Sequence, residues 1–142
     1  MIYLDTSILA AYYYPEPLSE IIQNLVRVQA QPVVSSLSEV ELMSALSRKI
    51  REGGLSVTDG ERIAALFSQH LADDLYHRIP VSEQHYQMAR DWLRGFQTAL
   101  RSLDALHLAV AAAADLQLVT ADKALASAAT HLGVATQFLS AK

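Results

Sequence analysis

With 142 residues, 51% of them hydrophobic and 18% charged, the chain has the length and composition of one compact domain spanning 1–142, not of a disordered protein. The lack of cysteine excludes disulfides, thiolate nucleophiles and Cys-bound zinc, so any metal must sit on oxygen or imidazole. A net charge of -4 argues against a protein that coats nucleic acid through many Lys and Arg contacts, but not against a nucleic-acid enzyme whose acids surround a cation.

In chain order, "IYLD" reads as a short buried strand over 2–5, followed by a helix from Thr6 to Tyr14 that Pro15 and Pro17 stop. Ile21, Ile22, Leu25 and Val28 share one face of a helix near Leu18 to Ala30, and Pro32 resets the chain. "VVSS" (33–36) is a second buried strand, and "LSEVELMSALSRKI" a helix closed by Gly53 and Gly54. "TDGE" at 58–61 has the form of a capping box, opening an amphipathic helix with Ile63, Leu66, Phe67 and Leu71 on its stripe and its end near His77.

"RIPV" (78–81) is a weak strand whose proline suits only an edge or an end. A helix from Ser82 to about Phe96, a helix from Leu103 to Asp115, the strand "QLVTA" (117–121), a helix from Asp122 to Leu132 and a last strand from Val134 to Leu139 complete the chain. Near-strict alternation of strand and helix predicts an α/β fold with a mostly parallel sheet of about five strands covered on both faces, a three-layer α/β/α sandwich. No basic stretch precedes an apolar run at the N-terminus, and the longest apolar run, Leu108 to Ala114, is too short to span a bilayer. The expectation is a soluble, unexported protein.

In open α/β sheets the usable crevice lies beyond the carboxyl ends of the strands. Asp5, Glu41, Asp104 and Asp122 are all expected there, the first and last at strand ends, the others early in helices. Each has a plain structural role on offer. Asp5 and Asp122 fit helix N-caps, Asp104 complements a helix dipole, and Ser38 with Glu41 fits an S-x-x-E capping box. Their coincidence is less easily explained that way, because carboxylates gathered in one small volume raise one another's pKa unless a cation compensates. Oxygen-only donors suit Mg²⁺ or Mn²⁺, and metal-assisted phosphodiester hydrolysis is the chemistry such a set supports best. Glu39 competes with Glu41, and helical periodicity leaves the choice open.

The segments "IYLDTSILAAYY", "VVSSLSEVELMSAL", "LRSLDALHLAVAAAADLQLVTADKALASAA" and "LGVAT", in this order and spacing, resemble the PIN-domain nucleases, and most closely the VapC-type toxins of toxin–antitoxin pairs. The resemblance covers nearly the whole chain, the stretch from about Gly53 to Gln97 in helix pattern only. It implies a PIN-like α/β/α sandwich, a Mg²⁺- or Mn²⁺-dependent ribonuclease, an RNA substrate and a cognate antitoxin as partners, a homodimer and a cytoplasmic setting. By position it assigns Asp5 and Asp104 as metal ligands, with Glu41 and Asp122 completing the acidic pocket and orienting water. Thr6 and Thr120 are the supporting hydroxyls, and the family spacing chooses Glu41 over Glu39. No clear fifth acid of the kind some members carry is present.

His107, three residues after Asp104, faces the same side of its helix and is either a further ligand or a packed histidine bonded to a neighbour. The run Tyr12, Tyr13, Tyr14 is either a stacking surface for RNA or a partner helix, or half core and half surface. Arg48, Lys49 and Arg51 suit a helix C-terminus, and Arg94 and Arg101 precede Asp104. A haloacid-dehalogenase-like phosphohydrolase also starts on a strand ending in Asp, but needs an acid where Ser7 stands. A degenerate PIN fold kept as an interaction module is the other alternative, against which the full set of acids argues.

Overall fold

The computed structural model describes residues 1–140. Its elements are β1 (Ile2–Leu4), α1 (Thr6–Tyr13), α2 (Ser19–Arg27), β2 (Val33–Ser35), α3 (Ser36–Arg51), α4 (Val57–Ala72), β3 (His77–Ile79), α5 (Glu83–Arg94), α6 (Ser102–Ala113), β4 (Gln117–Thr120), α7 (Lys123–His131) and β5 (Thr136–Phe138). The strands form a 5-stranded sheet in the order β3-β2-β1-β4-β5, and every pairing is parallel.

Strand alternation explains the layers. Ile2, Leu4, Val34 and Val119 point to one side of the sheet, where Ile8 and Leu9 of α1, Ile22 of α2, Leu42 and Leu46 of α3 and Phe67 of α4 cover them. Tyr3, Val33 and Leu118, aligned with one another in register, point to the other side and meet Leu108 and Val110 of α6 and Leu125 of α7. Because successive side chains of a strand face opposite ways, a run such as Ile-Tyr-Leu that is buried throughout requires helices on both faces. The three-layer α/β/α sandwich expected from the sequence is what the chain forms.

Element ends differ in instructive ways. The α4 helix begins before "TDGE": Ser56 is its N-cap, accepting from the Asp59 amide at 3.1 Å, so the box read at 58–61 lies inside the first turns. The same helix ends at Ala72, not near His77, because Asp74 takes φ 57° and turns the chain into β3. The third strand is 77–79, one residue earlier than "RIPV", and Pro80 falls just beyond it. Ser38 pairs with Ser35, whose amide donates to its hydroxyl at 3.0 Å, so Glu41 is not a capping residue.

The tyrosine run divides its duties. Tyr13, half-buried, places its hydroxyl 2.6 Å from His70 Nδ1 and 2.7 Å from the Tyr76 hydroxyl, tying α1 to α4 and to the approach to β3. Burial raises both phenols well above their ordinary pKa. Tyr14 donates to the Gly54 carbonyl at 2.5 Å and carries the Lys49 ammonium over its ring at 4.1 Å, fixing the end of α3. The half-core reading of the run is therefore the one realised. Tyr13→Phe strands the other polar atoms of the cluster and should lower unfolding free energy by about 1–3 kcal/mol in urea melts; an unchanged midpoint would show that the cluster contributes nothing.

Candidate active site

The strand order places β1 between β2 and β4, so the chain leaves β1 to build one side of the sheet and returns to β4 for the other. That reversal opens a crevice at the carboxyl ends of β1 and β4. Asp5 follows β1 directly, and Thr120 and Asp122 stand at the end of β4.

Asp5 is only 4% exposed and is held by neutral donors. Its Oδ1 accepts from the Ile8 amide at 3.1 Å, making it the N-cap of α1, and from the Ser7 hydroxyl at 2.6 Å. Its Oδ2 accepts from the Thr120 hydroxyl at 2.5 Å. Burial pushes its pKa up, against the opposing pull of Ser7, Thr120 and the Ile8 amide. Thr120 is oriented in turn, since its oxygen accepts from the Asp122 amide at 2.9 Å and must direct its proton to Asp5. Asp122 caps α7 through Oδ1, which accepts from the amides of Ala124 at 2.9 Å and Leu125 at 3.2 Å.

Glu41 lies one turn and a half into α3, half-buried. Its Oε1 accepts from the Thr6 hydroxyl at 2.6 Å and meets His107 Nε2 in a short contact. Burial would raise this carboxyl, but the hydrogen bonds from His107 and Thr6, with the electrostatic pull of the imidazole, outweigh it and hold the pKa below the usual value. Glu39, by contrast, is turned outward and pairs with Arg78 at 2.5 Å. The geometry thus separates the two glutamates that periodicity could not.

Asp104 sits in the first turn of α6, partly buried. Burial is the main force raising its pKa; the charge of Asp122 comes next, with further contributions from Glu41 and Asp5, while His107 acts in the opposite sense. Among the described residues no donor reaches its carboxylate. Asp5, Glu41, Asp104 and Asp122 are therefore within electrostatic reach of one another, gathered from β1, α3, α6 and the β4–α7 turn. Among the described residues, though, no group of three or more Asp, Glu or His side chains is arranged to hold a metal ion as it stands.

An apolar cleft of about 460 Å³ lies elsewhere, between α5 and α6, lined by residues that include Tyr86, Leu93, Phe96 and Leu106. It holds no carboxylate.

Residues 2–130 match the PIN domain family profile, almost the entire chain. The chain belongs to the PIN domain family. The fold agrees. FitAcB of Neisseria gonorrhoeae is 20% identical, with a TM-score of 0.74, 98% of this chain and 97% of that one being covered. VapC20 of Mycobacterium tuberculosis, described as a sarcin–ricin loop cleaving toxin, is 19% identical with a TM-score of 0.74 over 90% of this chain and 95% of its own. VapBC2 of Rickettsia felis, bound to a DNA fragment from its promoter, gives 19% identity and a TM-score of 0.67, with coverage of 97% and 98%. No curated protein sequence matches the chain.

In this PIN domain, Ser7 is the residue that disposes of the dehalogenase-like alternative. Its hydroxyl donates to Asp5 and accepts from the Ala121 amide at 3.0 Å, pinning β1 to the end of β4 and leaving no acid at that position. Tyr3 and Ser35 were not among the residues singled out from the sequence, and Ser7 entered only as a position lacking an acid. Tyr3 did carry a signal: a tyrosine inside an otherwise apolar strand must find a partner for its buried hydroxyl. His107, 1% exposed, is the packed histidine of the two readings, bonded to Glu41 on one side and Tyr3 on the other.

Proposed function

We propose that the chain is a Mg²⁺- or Mn²⁺-dependent endoribonuclease, the toxin of a toxin–antitoxin pair, working as a homodimer in the cytoplasm and neutralised by a cognate antitoxin. The observation that carries this reading is the gathering of Asp5, Glu41, Asp104 and Asp122 at the β1–β4 crevice, close enough that the other three raise the carboxyl pKa of Asp104. Carboxylates held together at such a cost are compensated by a cation. The donor set fits a hard ion, because oxygens remain for it: both of Asp104, Oε2 of Glu41 and Oδ2 of Asp122 accept no hydrogen bond among the described residues.

A divalent ion held by these acids would supply Lewis-acid polarisation of a phosphodiester and activation of water. Asp5 and Asp104 are assigned as its principal ligands, and Glu41 and Asp122 as the acids that complete the shell and orient water. Thr120 and Thr6 fix the rotamers of Asp5 and Glu41. The toxin role rests on the company the fold keeps: similar structures include the FitAB and VapBC assemblies, and VapC20 is described as a sarcin–ricin loop cleaving toxin. Among the described residues no helix is long and apolar enough to cross a membrane.

The purified chain should cleave an RNA oligonucleotide when Mn²⁺ or Mg²⁺ is supplied and stop when EDTA removes it. Cleavage that persists in excess EDTA overturns the metal-dependent reading. Expression alone should arrest growth, with rescue by a small protein encoded alongside; normal growth at confirmed soluble expression overturns the toxin role and leaves the nuclease chemistry to the cleavage assay.

A further inference from the structure

Glu41 does not stand alone. His107 Nε2 contacts its Oε1, the other ring nitrogen Nδ1 lies 2.6 Å from the Tyr3 hydroxyl, and that hydroxyl lies 2.8 Å from Ser35 Oγ. Behind Glu41 the chain of contacts is buried: Tyr3 and Ser35 are 0% exposed and His107 is 1%. It spans three elements, β1, the end of β2 and α6, before reaching α3.

We propose that His107 and Tyr3 are positioning residues, a buried hydrogen-bonded relay that holds Glu41 in the rotamer the metal site needs. The relay rests on the nuclease reading of Glu41, but its logic is local. An ionised carboxylate only accepts, so the ring nitrogen facing Glu41 must carry the proton. A Tyr hydroxyl that donates to Nδ1 keeps that proton on Nε2, and Ser35 donates to the phenol oxygen in turn. Thr6 donates to the same Oε1 at 2.6 Å, so both donors hold one oxygen of Glu41 and leave Oε2 for the ligand. Outer partners of ligating carboxylates act this way, and losing one typically costs about 10–100-fold in metal affinity or activity.

His107 does not enter the ligand shell in this arrangement. Both its nitrogens are engaged, one with an acid and one with a phenol, and a ring so fixed has no lone pair to offer a cation. What it contributes is direction.

The test uses the full chain in four forms: wild type, His107→Gln, His107→Leu and Tyr3→Phe. Mn²⁺ binding is read by electron paramagnetic resonance, RNA cleavage as kcat and KM separately, and the imidazole by ¹⁵N NMR without metal. His107→Gln keeps a donor facing Glu41 and should retain most of the Mn²⁺ affinity. His107→Leu should lose roughly 10–100-fold, with kcat falling and KM for RNA unchanged.

Tyr3→Phe removes one oxygen from a buried ring and leaves Nδ1 without its partner, so the imidazole is held by Glu41 alone and the loosened ring should lower Mn²⁺ affinity. The ¹⁵N spectrum of the wild type should show Nε2 protonated and Nδ1 bare. A wild-type ring protonated at Nδ1, or a Leu variant that binds Mn²⁺ as wild type does, overturns the relay. Those two results leave the nuclease reading intact, whereas a wild type that binds no Mn²⁺ while showing the expected ring tautomer would sink the metal site and spare the hydrogen-bonded chain.

Discussion

Asp104→Asn should abolish RNA cleavage and, in the same molecule without metal, raise the melting temperature at neutral pH. The opposite signs come from one cause. In the folded chain the Asp104 carboxylate is partly desolvated and repelled by Asp122, Glu41 and Asp5. The dipole of α6 favours a negative charge in its first turn by about 0.3–1 kcal/mol, but the net displacement of the pKa is upward, so desolvation and repulsion prevail. Its folded pKa therefore lies above the unfolded value, and the folded state holds the proton more tightly between the two.

Stability linked to this group is thus undiminished at pH values below the unfolded pKa and falls as pH rises through the folded one. Wild type should lose stability on that rise, and the Asn variant, which has no proton to release there, should lose less. Added Mn²⁺ should stabilise wild type by mass action and leave the variant largely unmoved. The cleavage loss should exceed the roughly 10–100-fold typical of outer partners, since the lost group is the one proposed to ligate the ion. A variant that cleaves at the wild-type rate, or that melts lower than wild type without metal, would show that Asp104 is an ordinary helix-start acid.

The sandwich was legible because its signals are periodic. "IYL", "VVS" and "QLVT" are short, apolar and separated by helical stretches, and only a parallel sheet with two covered faces accommodates them. What periodicity does not encode are the ends. Ser56 rather than Thr58 caps α4 because a cap is chosen by where the backbone turns, and Ser and Thr serve equally as letters. The early end of α4 depends on Asp74 adopting a positive φ, which Asp tolerates without announcing it.

The acids of the crevice were legible as strand-end and helix-start residues, yet the choice of Glu41 over Glu39 came from the family spacing and not from periodicity, because both lie on the same helix and only the position of α6 decides which of them meets His107. The pairing of residues behind Glu41 was not legible. Tyr3 and His107 are 104 positions apart, and nothing local in either stretch says that they share a hydrogen bond.

Asp5 should separate geometry from charge more sharply than any other residue, through the pair Asp5→Ala and Asp5→Asn. Its carboxylate is at once the N-cap of α1, the acceptor for Ser7 and the acceptor for Thr120. Alanine removes all of these. A lost cap costs about 0.5–2 kcal/mol, and buried hydroxyls left without an acceptor add about 1–3 kcal/mol each. The sum is several kcal/mol in a domain whose whole stability is expected near 5–15 kcal/mol. The alanine variant should therefore unfold at markedly lower urea and lose activity with its fold.

Asparagine keeps an oxygen for the Ile8 amide and Ser7 and turns its amide toward Thr120, whose hydroxyl can rotate to accept. It should hold most of the stability, and by discarding a charge that burial disfavours it recovers part of what the Thr120 bond loses. Cleavage should nonetheless vanish, because a neutral amide does not replace an anionic ligand of a hard cation. Urea unfolding and RNA cleavage on the same two preparations make the comparison. An asparagine variant that is stable and fully active would reduce Asp5 to a helix cap, and one that is as unstable as the alanine variant would mean that its charge, and not its shape, holds β1 against β4.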